Sequence, residues 1–271
     1  MRILISNDDG AFSPALWAMV RAVQGLGEVI VSAPDRDRSG VGTGLTLHDP
    51  VRVKPIMSPV DGIEAHAIEG TPGDAVILGL RHLADGPVDL VLSGINTGNN
   101  IGSDVMISGT VGAGLQGYLN SVNTVAISVG VAQDAESPIV LDAVRRLAGV
   151  MLERAQRGEP ELFLNVNFPR LDDGPLHGAI LTGIAPRLVA DAVEASHRSG
   201  RTFYWIQRRA AVRASNAELK KDTDVWAMHH SWVSVTPLTY ELASNAESGE
   251  AARAAVEELD RAVKESSALH A

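Results

Sequence analysis

Over residues 1–169 the hydrophobic positions alternate between two patterns. Short, nearly continuous apolar runs occupy residues 3–6, 28–33, 88–93, 124–131 and 162–168, each bounded by Gly, Pro, Asn, Asp or Ser. Runs of that length read as strands buried on both faces. Residues 14–24, 71–82, 110–119 and 138–157 lie between them and read as helices. Ser13 before Pro14 places a capping residue ahead of a proline at the first helical position, and Thr71-Pro72-Gly73-Asp74 opens the next helix in the same way. Strands alternating with helices predict an α/β fold, a doubly wound sheet covered on both faces.

After Pro169 the pattern changes. Short alternating segments at 179–184, 203–206 and 232–238 stand among polar stretches and predict hairpins projecting from the main domain. Near the end, Ala252, Val256, Leu259 and Val263 recur at helical spacing and form a narrow apolar stripe. That stripe reads equally as a helix packed on its own subunit or docked on a partner. The expected organisation is an α/β domain over 1–169 and a smaller part over 170–271. No internal repeat or low-complexity segment is visible.

Composition narrows the class. The chain has 271 residues, 45% of them hydrophobic, enough for a sizeable core. Met1-Arg2 runs directly into an apolar strand, so no signal peptide is expected. No apolar run is long enough to span a bilayer, and cytoplasmic residence is the expectation. Cysteine is absent, which removes disulfides, thiolate metal sites and a cysteine nucleophile. The formal net charge of −10 argues against a nucleic acid polymer as partner. It leaves room for a small phosphorylated substrate, because a bound cation can supply positive charge locally.

Candidate chemistry sits in the segments that follow strands. In an open parallel sheet, ligands bind outside the carboxyl ends of the strands. Asn7-Asp8-Asp9-Gly10 directly follows the first strand. Two adjacent carboxylates there resemble half of a site for a hard cation such as Mg²⁺; the same residue types are also common turn formers. Ala33-Pro34-Asp35-Arg36-Asp37-Arg38-Ser39-Gly40 follows the second strand, and Arg36 and Arg38 could reach a phosphate from it. The segment from Ser93 to Gly102 carries three asparagines and three glycines in ten residues. Ser108-Gly109-Thr110 opens a helix, where unpaired N–H groups and the helix dipole suit a phosphate; Ser108 or Thr110 could equally be only a cap. No Lys or Arg occurs from 93 to 114, which is compatible with a metal-centred mechanism.

Rival chemistries lack their motifs. G-x-G-x-x-G is missing after the first strand, and the P-loop pattern is absent. Gly40 follows Ser39, but Asp37 breaks a nucleophile elbow. The eight histidines show no H-x-x-x-H spacing. His229-His230 is expected on a strand with its rings on opposite faces, in a structural role.

Several motifs in one order resemble the SurE family, the survival-protein nucleotidases. They are Asn7-Asp8-Asp9-Gly10, Ala33-Pro34-Asp35-Arg36 with Ser39-Gly40, Leu45-Thr46-Leu47, Gly70-Thr71-Pro72 with Asp74, Ser93-Gly94-Ile95-Asn96, Ser108-Gly109-Thr110-Val111 and Val233-Ser234-Val235-Thr236-Pro237-Leu238. The resemblance implies a Rossmann-like three-layer α/β/α sandwich with a smaller C-terminal hairpin and helix part serving oligomerisation, as homodimer or homotetramer. It implies a phosphatase, dependent on a divalent cation (Mg²⁺ or Mn²⁺), acting on nucleoside 5′- and 3′-monophosphates and extending in some relatives to short polyphosphate. Carried over by motif, Asp8, Asp9, Ser39 and Asn96 would hold the metal, and Asn100, Ser108 and Thr110 would lie near the phosphate. Asp8 or Asp9 as ligand, base or nucleophile stays open. Thr97, Asn99 and Ser231-Trp232 depart from the family pattern. A non-catalytic nucleotide or phosphate sensor is the alternative on the same fold.

Overall fold

A computed structural model of the chain describes residues 1–186, 189–198, 201–210 and 219–240, with Arg253, Val256 and Asp260 beyond them. Two compact units are distinguished, Met1–Leu238 and Thr239–Ala271. The first holds the elements that matter for chemistry. In chain order they are β1 (Arg2–Ser6), α1 (Pro14–Val23), β2 (Glu28–Pro34), β3 (Val53–Pro55), β4 (Glu64–Ile68), α2 (Pro72–Leu78), β5 (Leu90–Thr97), α3 (Gly109–Leu119), β6 (Asn123–Val129), α4 (Pro138–Gln156), β7 (Phe163–Phe168), β8 (Gly178–Leu181), β9 (Val189–Arg198), β10 (Arg201–Ala210), α5 (Asp224–His229) and β11 (Trp232–Leu238).

Nine strands form one sheet in the order β3-β4-β2-β1-β5-β6-β7-β11-β8. From β4 to β7 all neighbours run parallel. Antiparallel pairing appears at β3 on β4 and at β11 on β7. The chain builds outward from β1 to one side through β2 and β4, then returns to β1's other edge as β5. That reversal of direction creates a crevice beyond the ends of β1 and β5.

Alternation along β1 explains the two layers. Ile3 and Ile5 pack into the larger core, which contains Leu16, Met19 and Val20 of α1 and Val140, Val144 and Met151 of α4. Leu4 points the other way, into a cluster with Val76 of α2 and Ala113 of α3. Helices α1 and α4 therefore share one face and α2 and α3 the other. The α2 start is a capping box, with Asp74 N–H donating to Thr71 Oγ1 and Thr71 N–H to Asp74 Oδ2.

Several expectations are corrected. Strands β3 and β4 carry no strong sequence signal, because Glu64-Ala65-His66-Ala67-Ile68 is short and rich in small residues. The second helix ends at Leu78 and continues as a π-helical turn over Gly79–Leu83. Strand β5 runs on to Thr97, with an irregular register between Ser93 and Asn96, so Asn96 belongs to the strand and not to a free loop. Of the three late segments, β8 and β11 join the main sheet and only β9 and β10 form a hairpin. His229 ends α5, and His230, the residue that caps it, stacks on Trp226 with its Nδ1 on the Trp226 carbonyl at 2.8 Å, so the pair lies at a helix end and not on a strand. Ala252, Leu259 and Val263 lie outside the described residues.

Candidate active site

The turn after β1 is braced by its own first residue. Asn7 is fully buried, and its amide nitrogen donates to the Gly10 carbonyl while its Oδ1 accepts from Gly10 N–H, both at 3.1 Å. Gly10 has φ of 104° and lies against the Arg36 backbone, where a side chain would not fit. This arrangement presents Asp8 and Asp9 at the crevice. The second loop is tied to the first by Arg38 N–H on the Asp8 carbonyl at 2.8 Å.

Asp8 is 4% exposed. Its Oδ1 accepts from the Thr110 hydroxyl at 2.5 Å. Burial pushes the Asp8 carboxyl above its ordinary range, and the hydroxyl of Thr110 opposes that rise. The start of α3 reaches Asp8 only because residue 109 is glycine: a Cβ there would lie 2.7 Å from Asp8 Cβ. Asp9 is half-buried and its Oδ2 has no hydrogen-bond partner. Burial, then the charges of Asp8 and Asp37, push the Asp9 carboxyl up to about 6.

A cleft of about 230 Å³ opens over these groups, lined by Asp8, Asp9, Ser39, Gly40, Asn96, Thr97, Gly98, Asn99, Asn100, Asp104, Ile107 and Ser108. Among the described residues no Lys or Arg lines it. A buried and a half-buried carboxyl that both resist ionisation, one with an orphaned oxygen, call for a positive charge. Ser39 and Asn96 add neutral oxygens, and the Asn96 amide nitrogen is already committed to the Gly98 carbonyl at 2.6 Å. Among the described residues no trio of His, Cys, Asp or Glu forms a metal cage. The donor set is therefore all oxygen, with two carboxylates, and it fits a hard divalent cation that keeps several waters.

The expected phosphate residues divide. Ser108 lines the cleft and caps α3 by accepting from Val111 N–H at 3.1 Å. Asn100 also lines it, with its side chain donating to Ser128 Oγ at 2.9 Å. Thr110 is fully buried and does not line the cleft; its hydroxyl serves Asp8. Ser39 is exposed and donates to Asp37 Oδ1 at 2.6 Å. Arg36 and Arg38 lie at 4.0 and 3.8 Å from Asp35.

The model of the family described as "Survival protein SurE" matches residues 3–191. The chain belongs to the SurE family. It is 44% identical over 240 residues to the 5'-nucleotidase SurE of Dehalococcoides mccartyi (strain CBDB1), covering 88% of each chain. It is 38% identical over 277 residues to the 5'-nucleotidase SurE of Methanopyrus kandleri, covering 97% of this chain and 100% of that one. The crystal structure of the SurE protein from Aquifex aeolicus superposes with a TM-score of 0.70 at 31% identity, over 96% of this chain and 100% of that chain.

One SurE motif pair now has a physical reason. Asp74 accepts from Thr46 N–H at 3.0 Å and from the Thr46 hydroxyl at 2.6 Å, besides capping its own helix. Its ties to Thr46 and Thr71 outweigh burial and hold the carboxyl below its ordinary range.

Some residues of the site escaped the sequence reading. Asn165 and Asn167 donate to the Asn100 carbonyl at 2.8 and 3.1 Å, and Asn167 Oδ1 accepts from Asn100 N–H at 2.8 Å. The signal was there: two asparagines two residues apart on a strand buried at every position. Asp37 and Asp104 were also missed as site residues, and nothing local in the sequence separates them from ordinary surface carboxylates.

Proposed function

We propose that this chain is a divalent-cation-dependent nucleotidase that releases phosphate from nucleoside 5′-monophosphates and also accepts 3′-monophosphates and short polyphosphate. The observation that carries this reading is the pair Asp8 and Asp9, both resisting ionisation, with Asp9 Oδ2 unpartnered at a cleft lined by no cation. The names borne by the similar relatives support the 5′-nucleotidase activity.

Asp8, Asp9, Ser39 and Asn96 would hold Mg²⁺ or Mn²⁺. The chemistry supplied by such a cation is neutralisation of phosphoryl charge and acidification of a bound water. Thr110 orients Asp8 by its hydroxyl. Ser108, at the positive end of α3, would meet the phosphoryl oxygens, while Asn100, held through its amide by Ser128 and through its N–H by Asn167, would shape the phosphate end of the cleft. The cleft is small for a whole nucleotide. An adjoining hollow of about 550 Å³ shares Asp9 and Thr97 with it and is walled partly by Pro14, Ala15 and Ala135; its size and apolar wall would suit the nucleoside. Residues beyond Pro169 are assigned to assembly as a homodimer or homotetramer.

Phosphate release from a panel of 5′- and 3′-mononucleotides, with Mg²⁺, Mn²⁺, Ca²⁺ or a chelator, tests the reading. Release that depends on the cation is expected. Nucleotide binding without release would replace the enzyme with a sensor.

A further inference from the structure

We infer that Asp224 is a positioning residue for the cleft, fixing the loop that carries Asn99 and Asn100 and tying it to the exit from β8. The inference rests on the nucleotidase reading above. Asp224 is fully buried at the start of α5 and does not line the cleft. Its Oδ2 accepts from Gly102 N–H at 2.7 Å. Its Oδ1 accepts from Ala185 N–H and from Val225 N–H, both at 2.8 Å. One carboxylate thus joins three stretches of chain: the end of the asparagine loop, the exit from β8, and α5.

Ala185 precedes β9 and Asp224 follows β10 in sequence, so the carboxylate joins two points of chain on either side of the 186–223 segment. Gly102 is seated there in a left-handed conformation, φ 54°, with Val225 and the Ala185 carbonyl as its neighbours. Two residues earlier, Asn100 is gripped by Asn165, Asn167 and Ser128. The loop is therefore held at two points, by β7 and by Asp224. A carboxylate suits this post because three donors converge on two oxygens. An asparagine offers only one oxygen, and its amide nitrogen would face an N–H group.

Asp224→Asn tests the role against a control, Thr223→Val. Thr223 caps α5 through Trp226 N–H and donates to the Lys220 carbonyl, so its loss weakens the same helix and leaves Asp224's bonds in place. Asp224→Asn is expected to lower kcat/KM on the order of ten- to a hundredfold, for AMP and p-nitrophenyl phosphate alike, as for a lost bond to a charged group. The inhibition constant of inorganic phosphate should rise roughly tenfold. Thr223→Val should lower Tm and leave both constants unchanged. In the wild-type protein the Gly102 amide should exchange slowly with solvent hydrogen, a measurement that needs no variant. Rapid exchange at Gly102 overturns the inference, as do wild-type constants in Asp224→Asn or activity losses that track Tm in both variants. A wild-type protein that releases no phosphate from any phosphomonoester overturns the nucleotidase reading and this inference together; an active wild type with an unaffected Asp224→Asn overturns this inference alone.

Discussion

The hydroxyl of Thr110 donates to Asp8 Oδ1 at 2.5 Å, across 102 residues of sequence. The contact joins the end of β1 to the start of α3, and Gly109 permits it by leaving no side chain between them. It favours the charged form of a carboxylate that burial otherwise discourages. Thr110 therefore works on the site through Asp8.

Thr110→Val keeps the shape and deletes the donor. The Asp8 carboxyl should then hold its proton to higher pH, and kcat/KM should fall by about 1.5–3 kcal/mol equivalent, the usual range for a hydrogen bond to a charged group. The acid limb of the pH–rate profile should move upward. Unchanged kinetics with a lower melting temperature would reduce Thr110 to a packing residue.

Asp8→Asn and Asp9→Asn are nearly isosteric, so their effects should come from lost charge. Each is expected to weaken metal affinity and to reduce turnover greatly. Without metal, each should be at least as stable as wild type near pH 7, because the repulsion between the two anions is relieved. Added Mn²⁺ should stabilise wild type more than either variant. Thermal melts with and without Mn²⁺, beside a phosphate-release assay, check this; near-normal metal-dependent activity in both variants would sink the metal-site assignment.

The raised Asp9 value sets a pH window. An unperturbed aspartate titrates near 3.9, whereas folding pushes Asp9 up to about 6. Between those values the native state binds more protons than the unfolded state, so this group's contribution to stability falls as pH rises through the window. Metal-free Asp9→Asn should therefore exceed wild type at pH 7 by roughly 1–2 kcal/mol, after allowance for solvent screening of a half-buried group. The difference should close toward pH 4. Metal binds the ionised form, so cation affinity should drop as pH falls through about 6. Denaturant melts at both pH values and a metal titration at each measure these signs.

The proposed assembly has a testable basis in exposed apolar surface. On β10, Phe203, Tyr204, Trp205 and Ile206 are 48%, 68%, 63% and 79% exposed, and Val256 is 62% exposed. An isolated chain rarely leaves such a run in water. Light scattering should give at least a homodimer, and Trp205→Glu should shift it toward smaller species. A concentration-independent monomer for the full-length wild type would contradict this.

Much of the architecture was legible in local pattern. Buried strands announced themselves as apolar runs, helices began at Ser13-Pro14 and Thr71-Pro72, and Asp8 and Asp9 stood out because a strand end is where such a sheet binds ligands. These features depend on side-chain period and residue chemistry, which a sequence carries directly. It could not say what each polar group meets. Arg36 and Arg38 were read for phosphate alone, and only the fold shows Asp35 beside both. Thr110 looked like a phosphate donor, yet it is spent on Asp8. β8 and β11 looked like projecting hairpins, yet they complete the main sheet. Asp224 carried no local mark of its task, although it grips the end of the asparagine loop from 122 residues away. Such pairings are decided by strand order and by the need of every buried polar group for a partner, and both exist only once the distant segments have been brought together.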